Sequence, residues 1–299
     1  MVEERIATEY EKQEMRCPVH LSIGQEGVAA GICLPLKKDD YVFSGHRNHA
    51  HFLAKGGSLN KMIAEIYGKE TGCCLGKGGS MHLTDEGAGF VAATPIVGST
   101  IPIAVGASLS SVLMKKNNVT VIFFGDGALE NGIVHESFNF AKLKNLPIIF
   151  VCENNLYSVY SPLEVRQPTK NLGMNLAKAH SLKRQKIDGN NPVNIYEEMS
   201  VIVKKIRDYH EPYYIELPTY RWREHCGPNF DNDIGYRTEK EFKYWESKDP
   251  LKKLAGLMNS TQIQKITSKI QMEIDEAFSF AQKSKFPAKK VASQHVYKG

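Results

Sequence analysis

The segment VTVIFFGDGALENGIVHESFNFAKLKNLPIIFVCENNLY, residues 119–157, decides the fold of this chain. It begins with an apolar, β-branched run of strand length, residues 119–124, which ends at the sequence GDG, residues 125–127. A helical pattern follows, and a second apolar run, residues 146–152, ends at ENN, residues 153–155. A strand, a helix and a strand of these lengths predict a βαβ unit whose two polar ends lie at the same edge of a parallel sheet. The apolar candidates on the helix are Ile133, Phe138, Ala141 and Leu143.

The polar residues at the two strand ends suggest a ligand site. Because open parallel sheets bind ligands beyond the carboxyl ends of their strands, we expect Asp126 and Asn155 to converge on one ligand. Their carboxylate and amide oxygens suit Mg²⁺, while the glycines and the following helix N-terminus favour an anion. The pattern therefore predicts Mg²⁺ bridging a diphosphate. The alternative is a tight strand-to-helix turn followed by an asparagine-rich loop, with no ligand.

Length and composition are those of an ordinary globular protein. The chain has 299 residues, 42% hydrophobic and 24% charged, which fits one large domain or two small ones. The formal net charge of +5 is spread widely, without a basic block interleaved with aromatic residues, so we expect no nucleic-acid partner. We also expect no membrane span, because no apolar stretch reaches about 18 residues, and the acidic N-terminus argues against a signal peptide.

The cysteines indicate a compartment rather than a site. None of the six is part of a CxxC pair or has the spacing of metal ligands. We therefore expect free thiols in a reducing cytosol, and a cytoplasmic protein.

The segment GHRNHAH, residues 45–51, combines three histidines with one arginine. Histidine spacing of this kind suggests a metal, but the segment contains no acidic third ligand or general base. An arginine offers a rigid, multidentate fork for phosphate, so Arg47 is better explained as part of an anion site.

Two further stretches are rich in small residues. Residues 68–82 are dense in glycine, but Lys77 is followed by Gly78 rather than by Ser or Thr, which argues against a nucleotide P-loop. We expect an ordered loop at a subunit contact instead. Residues 95–114 predict a short loop and then a helix whose small residues allow close packing, either in the core of the monomer or at an oligomer interface.

The C-terminal half contains one more candidate segment. Residues 158–175 predict a loop over the ligand edge, and residues 218–233 form a loop in which Arg221 and His225 are functional candidates. Helices are expected over about 238–285, followed by a basic tail, and Thr238 with Glu241 predicts a capping box at the first of these helices. Earlier in the chain, short strands are expected at residues 41–44 and 186–188, and Ser58 is expected to cap a helix. Because no linker or internal repeat is visible, we predict a single domain over residues 1–299.

Several motifs, in their order and spacing, resemble the alpha subunits of the decarboxylating component of 2-oxo acid dehydrogenases. This family includes pyruvate, branched-chain 2-oxo acid and acetoin dehydrogenases. The resemblance covers about residues 18–255, through HLSIGQE, GHRNHAH, GKGGSMH, PIVGSTIPIAVGA, GDGALENG, LPIIFVCENN, TYRW and a later YRT…W…DP. It implies an α/β fold with a doubly wound, mostly parallel sheet flanked by helices. It also implies thiamine diphosphate bound between an alpha and a beta subunit of an α2β2 heterotetramer.

The resemblance assigns roles to particular positions. It implies that Mg²⁺ is bound by Asp126, Asn155 and the main-chain oxygen of Tyr157. It implies further cofactor contacts from His46, Arg47, Val97, Gly125, Gly127, Ala128 and Arg221, with the two arginines neutralising the diphosphate. His225 and His49 would face the thiazolium and the substrate, and His225 would act as general acid or base with a pKa near neutrality. The family often has tyrosine at the position of His46.

The implied activity is decarboxylation of a 2-oxo acid such as pyruvate, with transfer of the acyl group to a lipoyl-domain acyltransferase. The activating glutamate of the family belongs to the beta subunit. The loop CGPNFDND after His225 differs from the usual form, and Cys226 stands where some animal members of the family carry a phosphorylated serine. An acyloin-forming or transketolase-like enzyme with an aldehyde, ketone or sugar acceptor is therefore the alternative. A cofactor-free structural subunit is a third possibility, which the intact candidate residues disfavour.

Overall fold

The computed structural model describes residues 1–294, which contain eight strands and twelve α-helices. The strands are β1 (Tyr41–Ser44), β2 (Phe90–Ala93), β3 (Thr120–Gly125), β4 (Ile148–Asn154), β5 (Tyr157–Ser158), β6 (Ser161–Pro162), β7 (Lys183–Lys186) and β8 (Tyr213–Pro218). The helices are α1 (Val2–Tyr10), α2 (Glu26–Cys33), α3 (His49–Ala54), α4 (Leu59–Ile66), α5 (Thr100–Leu113), α6 (Gly132–Leu143), α7 (Leu163–Arg166), α8 (Leu172–Ala179), α9 (Pro192–Tyr209), α10 (Glu239–Glu246), α11 (Pro250–Ala255) and α12 (Ser260–Lys283).

Six of the strands form one parallel sheet in the order β2-β1-β3-β4-β8-β7. The central strand β4 is buried along its whole length, which explains its continuous apolar run, since helices cover both faces of a parallel sheet. Gly125 of β3 pairs with Glu153 of β4, so the two polar strand ends lie side by side. The predicted βαβ unit and the α/β fold class are confirmed.

The core-facing side of α6 differs from the one that the sequence suggests. Phe138 and Ala141 are fully buried, as expected, but Leu143 is 70% exposed. Val134 and Ser137 are buried instead. Leu143 follows the buried Ala141 by two positions, which at about 100° per residue places it on the opposite side of the helix.

The glycine-rich loop after α4 encloses a carboxylate of the chain itself. The fully buried side chain of Glu65 accepts hydrogen bonds from the backbone N–H groups of Cys74, Gly76, Gly78 and Gly79, at 2.6–3.2 Å. Gly76 and Gly79 have φ values of +75° and +59°, which favour glycine and allow successive N–H groups to face one anion. The loop is therefore an anion nest whose anion is Glu65. Its expected role at a subunit contact remains a prediction.

The C-terminal helices lie where the sequence predicts them. α10, α11 and α12 fall within residues 238–285, and the C-terminal half of α12 packs Ile274, Ala277 and Phe278 into the core. Part of the predicted basic tail is ordered, because Lys77 donates hydrogen bonds to the carbonyl oxygens of Val291 and Gln294. Residues 295–299 of that tail lie outside the described residues. The single-domain assignment remains a prediction.

Candidate active site

A cavity of about 190 Å³ opens at the carboxyl ends of β1, β3 and β4. Asp126 and Asn155 both line it, as the βαβ pattern predicts. Other residues that the sequence analysis assigns to the site line the same cavity, namely His46, Arg47, Val97, Gly125, Gly127, Ala128, Tyr157 and His225. His49 and Arg221 are not among its lining residues. The cavity thus joins segments that are far apart in the chain.

Asp126 is the buried carboxylate of this cavity and is only 1% exposed. Burial raises the pKa of its carboxyl group, and the neighbouring Arg166 opposes that rise. The Arg166 guanidinium donates a 2.5 Å hydrogen bond to Asp126 Oδ2 and a second one to Glu130. Arg166 therefore supplies the positive charge beside Asp126 in this structure.

Asn155 is oriented by two hydrogen bonds. Its amide Nδ2 donates to Gln25 Oε1 at 3.0 Å, and its Oδ1 accepts from the backbone N–H of Tyr157 at 3.2 Å. The hydroxyl of Tyr157 in turn contacts the carboxylate of Glu241 on α10, at 2.9 and 3.0 Å. The turn that presents Asn155 and the Tyr157 carbonyl is thus anchored from α2 and from α10.

These residues fit the Mg²⁺–diphosphate group that the sequence predicts. Asp126, Asn155 and the Tyr157 carbonyl provide the oxygen donors that Mg²⁺ prefers, and the buried carboxylate already has a cation beside it. An added Cβ at Gly125 would meet nothing within 4 Å, so its backbone is open to a ligand. An added Cβ at Gly127 would lie 2.8 Å from Ser158 Oγ, so a side chain at this position would force Ser158 to move.

Three histidines form a cluster on another side of the cavity. The ring centroids of His20, His46 and His225 are 4.7 to 5.4 Å apart. Burial, followed by the charge of Arg47, lowers the pKa of His20 to about 2, of His46 to about 3 and of His225 to about 4. The expected near-neutral pKa of His225 is therefore wrong for the chain by itself, because sequence reasoning did not include the desolvation or the nearby guanidinium.

The two predicted arginines occupy different environments. Arg47 is buried beside the cavity and donates to the carbonyl oxygens of Leu21 and His225. Burial and the nearby Arg221 lower the pKa of Arg47 to about 10. Arg221 is 1% exposed, and its guanidinium donates to the carbonyl of Val159 at 2.8 Å and to Tyr236 Oη at 2.7 Å. Its assigned role with the diphosphate remains a prediction.

His49 is fully buried and has both ring nitrogens engaged. Its Nδ1 is 3.0 Å from Glu3 Oε1, and its Nε2 is 2.8 Å from Ser80 Oγ. Glu3 also accepts two hydrogen bonds from the backbone N–H of Ser22. These contacts link α1 to the segment that carries His20 and Gln25. In this structure, His49 therefore helps to position that segment and does not line the cavity.

Sequence reasoning missed His20, Gln25 and Arg166. His20 and Gln25 belong to HLSIGQE, one of the motifs that carry the family resemblance, but the motif by itself indicates no role for them. Arg166 lies in the predicted loop over the ligand edge, and its pairing with Asp126 spans 40 positions in the chain. The signal in the sequence was a basic residue in a loop expected to lie near the carboxylate of Asp126.

Comparison with known proteins gives consistent results. The family model described as "Dehydrogenase E1 component" matches residues 1–290. The alpha subunit of acetoin:2,6-dichlorophenolindophenol oxidoreductase from Bacillus subtilis (strain 168) is 35% identical over 285 residues, covering 93% of this chain and 84% of that protein. The pyruvate dehydrogenase E1 component subunit alpha from Porphyra purpurea is 34% identical, covering 95% of this chain and 86% of that protein.

A third relative extends the comparison to plants. The chloroplastic pyruvate dehydrogenase E1 component subunit alpha-3 from Arabidopsis thaliana is 33% identical, covering 99% of this chain and 71% of that protein. Within residues 1–294, moreover, every helix is too short or too polar to cross a bilayer. The chain belongs to the dehydrogenase E1 component family, and within it to the alpha subunits of the thiamine diphosphate-dependent 2-oxo acid dehydrogenases.

Proposed function

We propose that this alpha subunit acts with a beta subunit to decarboxylate a 2-oxo acid such as pyruvate and to pass the acyl group to a lipoyl carrier. The observation that carries the proposal is the meeting of Asp126 and Asn155 at one cavity beside the open backbone of Gly125. This arrangement offers oxygen donors for Mg²⁺ next to backbone groups for a diphosphate. Bound thiamine diphosphate would supply the carbon nucleophile and the electron sink that decarboxylation requires.

The residues of the chain would divide this work. Asp126, Asn155 and the Tyr157 carbonyl would bind the metal, and Gly125, Gly127 and Ala128 would approach the diphosphate. Arg47 would balance the negative charge, with Arg221 as a further candidate. Val97 and His46 would line the cofactor, while His225 would hold or move a proton near the substrate. Because the pKa of His225 is about 4, it would begin as a neutral proton acceptor.

The partners are part of the proposal. A beta subunit would complete the site in an α2β2 heterotetramer, and a lipoyl-domain acyltransferase would accept the acyl group. The exposed side chains of Ile96 and Val97 support an interface here, because Val97 is 49% exposed and also lines the cavity. The free state of all six cysteines supports a cytoplasmic location.

A lipoyl domain offered together with a 2-oxo acid tests this function. The purified alpha–beta complex, given thiamine diphosphate, Mg²⁺ and pyruvate, should acylate the lipoyl group, which mass spectrometry of the domain measures. Branched-chain 2-oxo acids and acetoin, tested in parallel, identify the substrate. Carbon dioxide release with acyloin as the only product would contradict the lipoyl acceptor.

That outcome would favour the second candidate, a two-carbon transferase with an aldehyde, ketone or sugar acceptor. The altered loop after His225 is the observation behind it, since this region contacts the acceptor in the family that the sequence resembles. Here the loop folds back on itself, because the N–H of Glu224 donates to the carbonyl of Asn229, and Asn229 N–H donates to the Glu224 carboxylate. Phe230 remains 53% exposed at its tip.

A further inference from the structure

Three imidazoles meet although they come from three separate segments. His20 lies in the segment before α2, His46 follows β1, and His225 lies in the loop after β8. Each offers one ring nitrogen, and these nitrogens all lie within 4.8 Å of one another. The sequence disfavoured a metal within residues 45–51 because that segment lacks a third ligand. In the fold, His20 and His225 come from outside that segment and provide the two further potential ligands beside His46.

The ring nitrogens of the cluster have no partner in the part of the chain that the structure describes, although the proposed function places His46 and His225 beside the cofactor and the substrate. Apart from their edge contacts with one another, their ring nitrogens make no hydrogen bond to a described residue. His20 is only 7% exposed, and its Nδ1 is buried without a partner. A buried polar atom without a partner costs free energy, which binding of a ligand would recover.

We propose that His20, His46 and His225 form a binding site for a borderline divalent transition metal, of which Zn²⁺ is the representative ion. Neutral imidazole nitrogens suit such ions and do not suit Mg²⁺, which prefers oxygen donors. Zn²⁺ is commonly bound by three histidines, with a fourth coordination position left open towards a cavity. The site is distinct in chemistry from the oxygen donors of Asp126 and Asn155.

The local geometry permits the small closure that a metal requires. Zn–N bonds of about 2.0–2.1 Å in a tetrahedral site place ligand nitrogens about 3.4 Å apart. All three histidines lie outside helices and strands, and nitrogens now within 4.8 Å of one another would need to approach by no more than about 1.4 Å. The charges of Arg47 and Arg221 oppose a cation here, and the nearby carboxylates of Glu3 and Glu153 offset part of the charge of Arg47. A metal in this position would occupy the region of the proposed substrate, and that inhibitory consequence alone rests on the proposed function.

Two other groups of potential ligands differ from this cluster. Glu65 lies with Cys73 and Cys74, but its carboxylate already accepts four backbone hydrogen bonds, and the Cys74 thiol lies 2.8 Å from the carbonyl of His82. His135 and His180 form a pair, with 3.5 Å between Nδ1 and Nε2. Each group provides a matched control.

Cobalt is the probe for this site, because Co²⁺ bound to protein ligands gives visible absorption bands and Zn²⁺ displaces it. The tag-free full chain, titrated with Co²⁺, should bind one equivalent and lose the bands when Zn²⁺ is added. His46→Tyr should weaken binding on the order of 100-fold, since loss of even an outer partner of a metal ligand costs 10–100-fold. His225→Gln is the second variant, and circular dichroism confirms that each variant folds.

The controls make the assignment falsifiable. Cys74→Ser, His135→Gln and Asp126→Asn should leave the cobalt bands and the Co²⁺ affinity unchanged. Asp126→Asn also separates this proposal from the proposed function, because it damages only the oxygen site. The proposal is overturned if the wild-type chain gives no bands, or if a control variant rather than a folded His46→Tyr or His225→Gln loses them.

Discussion

At the scale of single residues, Asp126 is the carboxylate on which the proposed Mg²⁺ site depends. It combines a buried carboxylate with a position beside the backbone of Gly125 and Gly127. We predict that Asp126→Ala abolishes Mg²⁺-dependent binding of thiamine diphosphate by the complex with the beta subunit, as measured by calorimetry. Asp39→Ala, at an exposed position, is the control and should bind normally. Retained affinity in Asp126→Ala would remove this residue from its role.

Arg166 competes for the same carboxylate. Its side chain is 10% exposed and pairs with Asp126, so the proposed Mg²⁺ would have to displace it. We predict that Arg166→Gln raises the affinity of the chain for Mg²⁺ alone about tenfold. In this variant, Mg²⁺ binding no longer has to break the ion pair with Asp126, which is worth about 1–2 kcal/mol. Arg184→Gln, on the exposed edge strand β7, should have no effect. An unchanged or weaker Mg²⁺ affinity in Arg166→Gln would refute the competition.

The depressed histidine pKa values make stability depend on pH. The pKa of His46 is about 3 in the folded chain against 6.5 ordinarily, so between these values the unfolded chain binds more protons. The free energy of unfolding therefore falls as the pH falls below 6.5. Between pH 7 and pH 5, the free energy of unfolding of the wild type should fall by up to about 2 kcal/mol more than that of His46→Tyr. Urea unfolding with a chelator present measures this, and equal losses would contradict it.

The limits of prediction from sequence are clear for individual residues. Asp126 and Asn155 could be paired because strand ends in a parallel sheet share an edge. The neighbours of His49 and Arg221 could not be found in this way, since Glu3 and Tyr236 reach them through packing that follows no local period. The histidine cluster escaped notice for the same reason.

At the scale of elements, the loop at residues 68–82 is folded around Glu65. We predict that Glu65→Gln lowers the free energy of unfolding by about 3 kcal/mol. The carboxylate offers two charged oxygens to four part-buried backbone N–H groups, whereas the amide offers one neutral oxygen and turns an NH2 group towards the others. Glu70→Gln, an exposed change in the same loop, should cost little. Urea unfolding gives the energies, and hydrogen exchange of residues 72–79 should accelerate only in Glu65→Gln. Unchanged exchange would mean that the carboxylate does not order the loop.

Elements with strong local signals were predicted well. β1 has the predicted bounds, and the Ser58 side chain accepts from the N–H of Lys61 at the start of α4. Weak signals failed: β7, expected at residues 186–188, spans Lys183–Lys186, because this polar edge strand has no apolar alternation. Thr238 caps α10, but Glu241, expected to complete the capping box, contacts Tyr157 instead. Tertiary contact overrode the local motif there.

At the scale of the whole molecule, α5 has one face in the core and one face exposed. Ile103 is 50% exposed, Leu113 is 72% exposed, and an added Cβ at Gly106 would meet nothing within 4 Å. We predict that the beta subunit covers this face, which adjoins the cavity through Val97. Gly106→Arg should then prevent assembly without unfolding the chain, as light scattering and circular dichroism measure. Gln264→Arg, on the exposed part of α12, should assemble normally, and assembly of Gly106→Arg would refute this interface.

The fold of the molecule was more predictable than its chemistry. Buried parallel strands leave a continuous apolar signature. The loop after β8 leaves no such signature, because its contacts, such as those of His225 with Arg47 and of Gly227 with Val19, join residues far apart in the chain. Asp126, Asn155 and Arg47 line one cavity, which is the proposed site for Mg²⁺ and a diphosphate. In the proposed function, a beta subunit completes this site.

Decarboxylation by the purified alpha–beta complex tests the central claim most directly. Carbon dioxide release from a 2-oxo acid labelled at its carboxyl carbon should require both subunits, thiamine diphosphate and Mg²⁺, and should be lost in Asp126→Ala. If the assembled complex bound no thiamine diphosphate and released no label from any 2-oxo acid, the account of this cavity as a decarboxylase site would be contradicted.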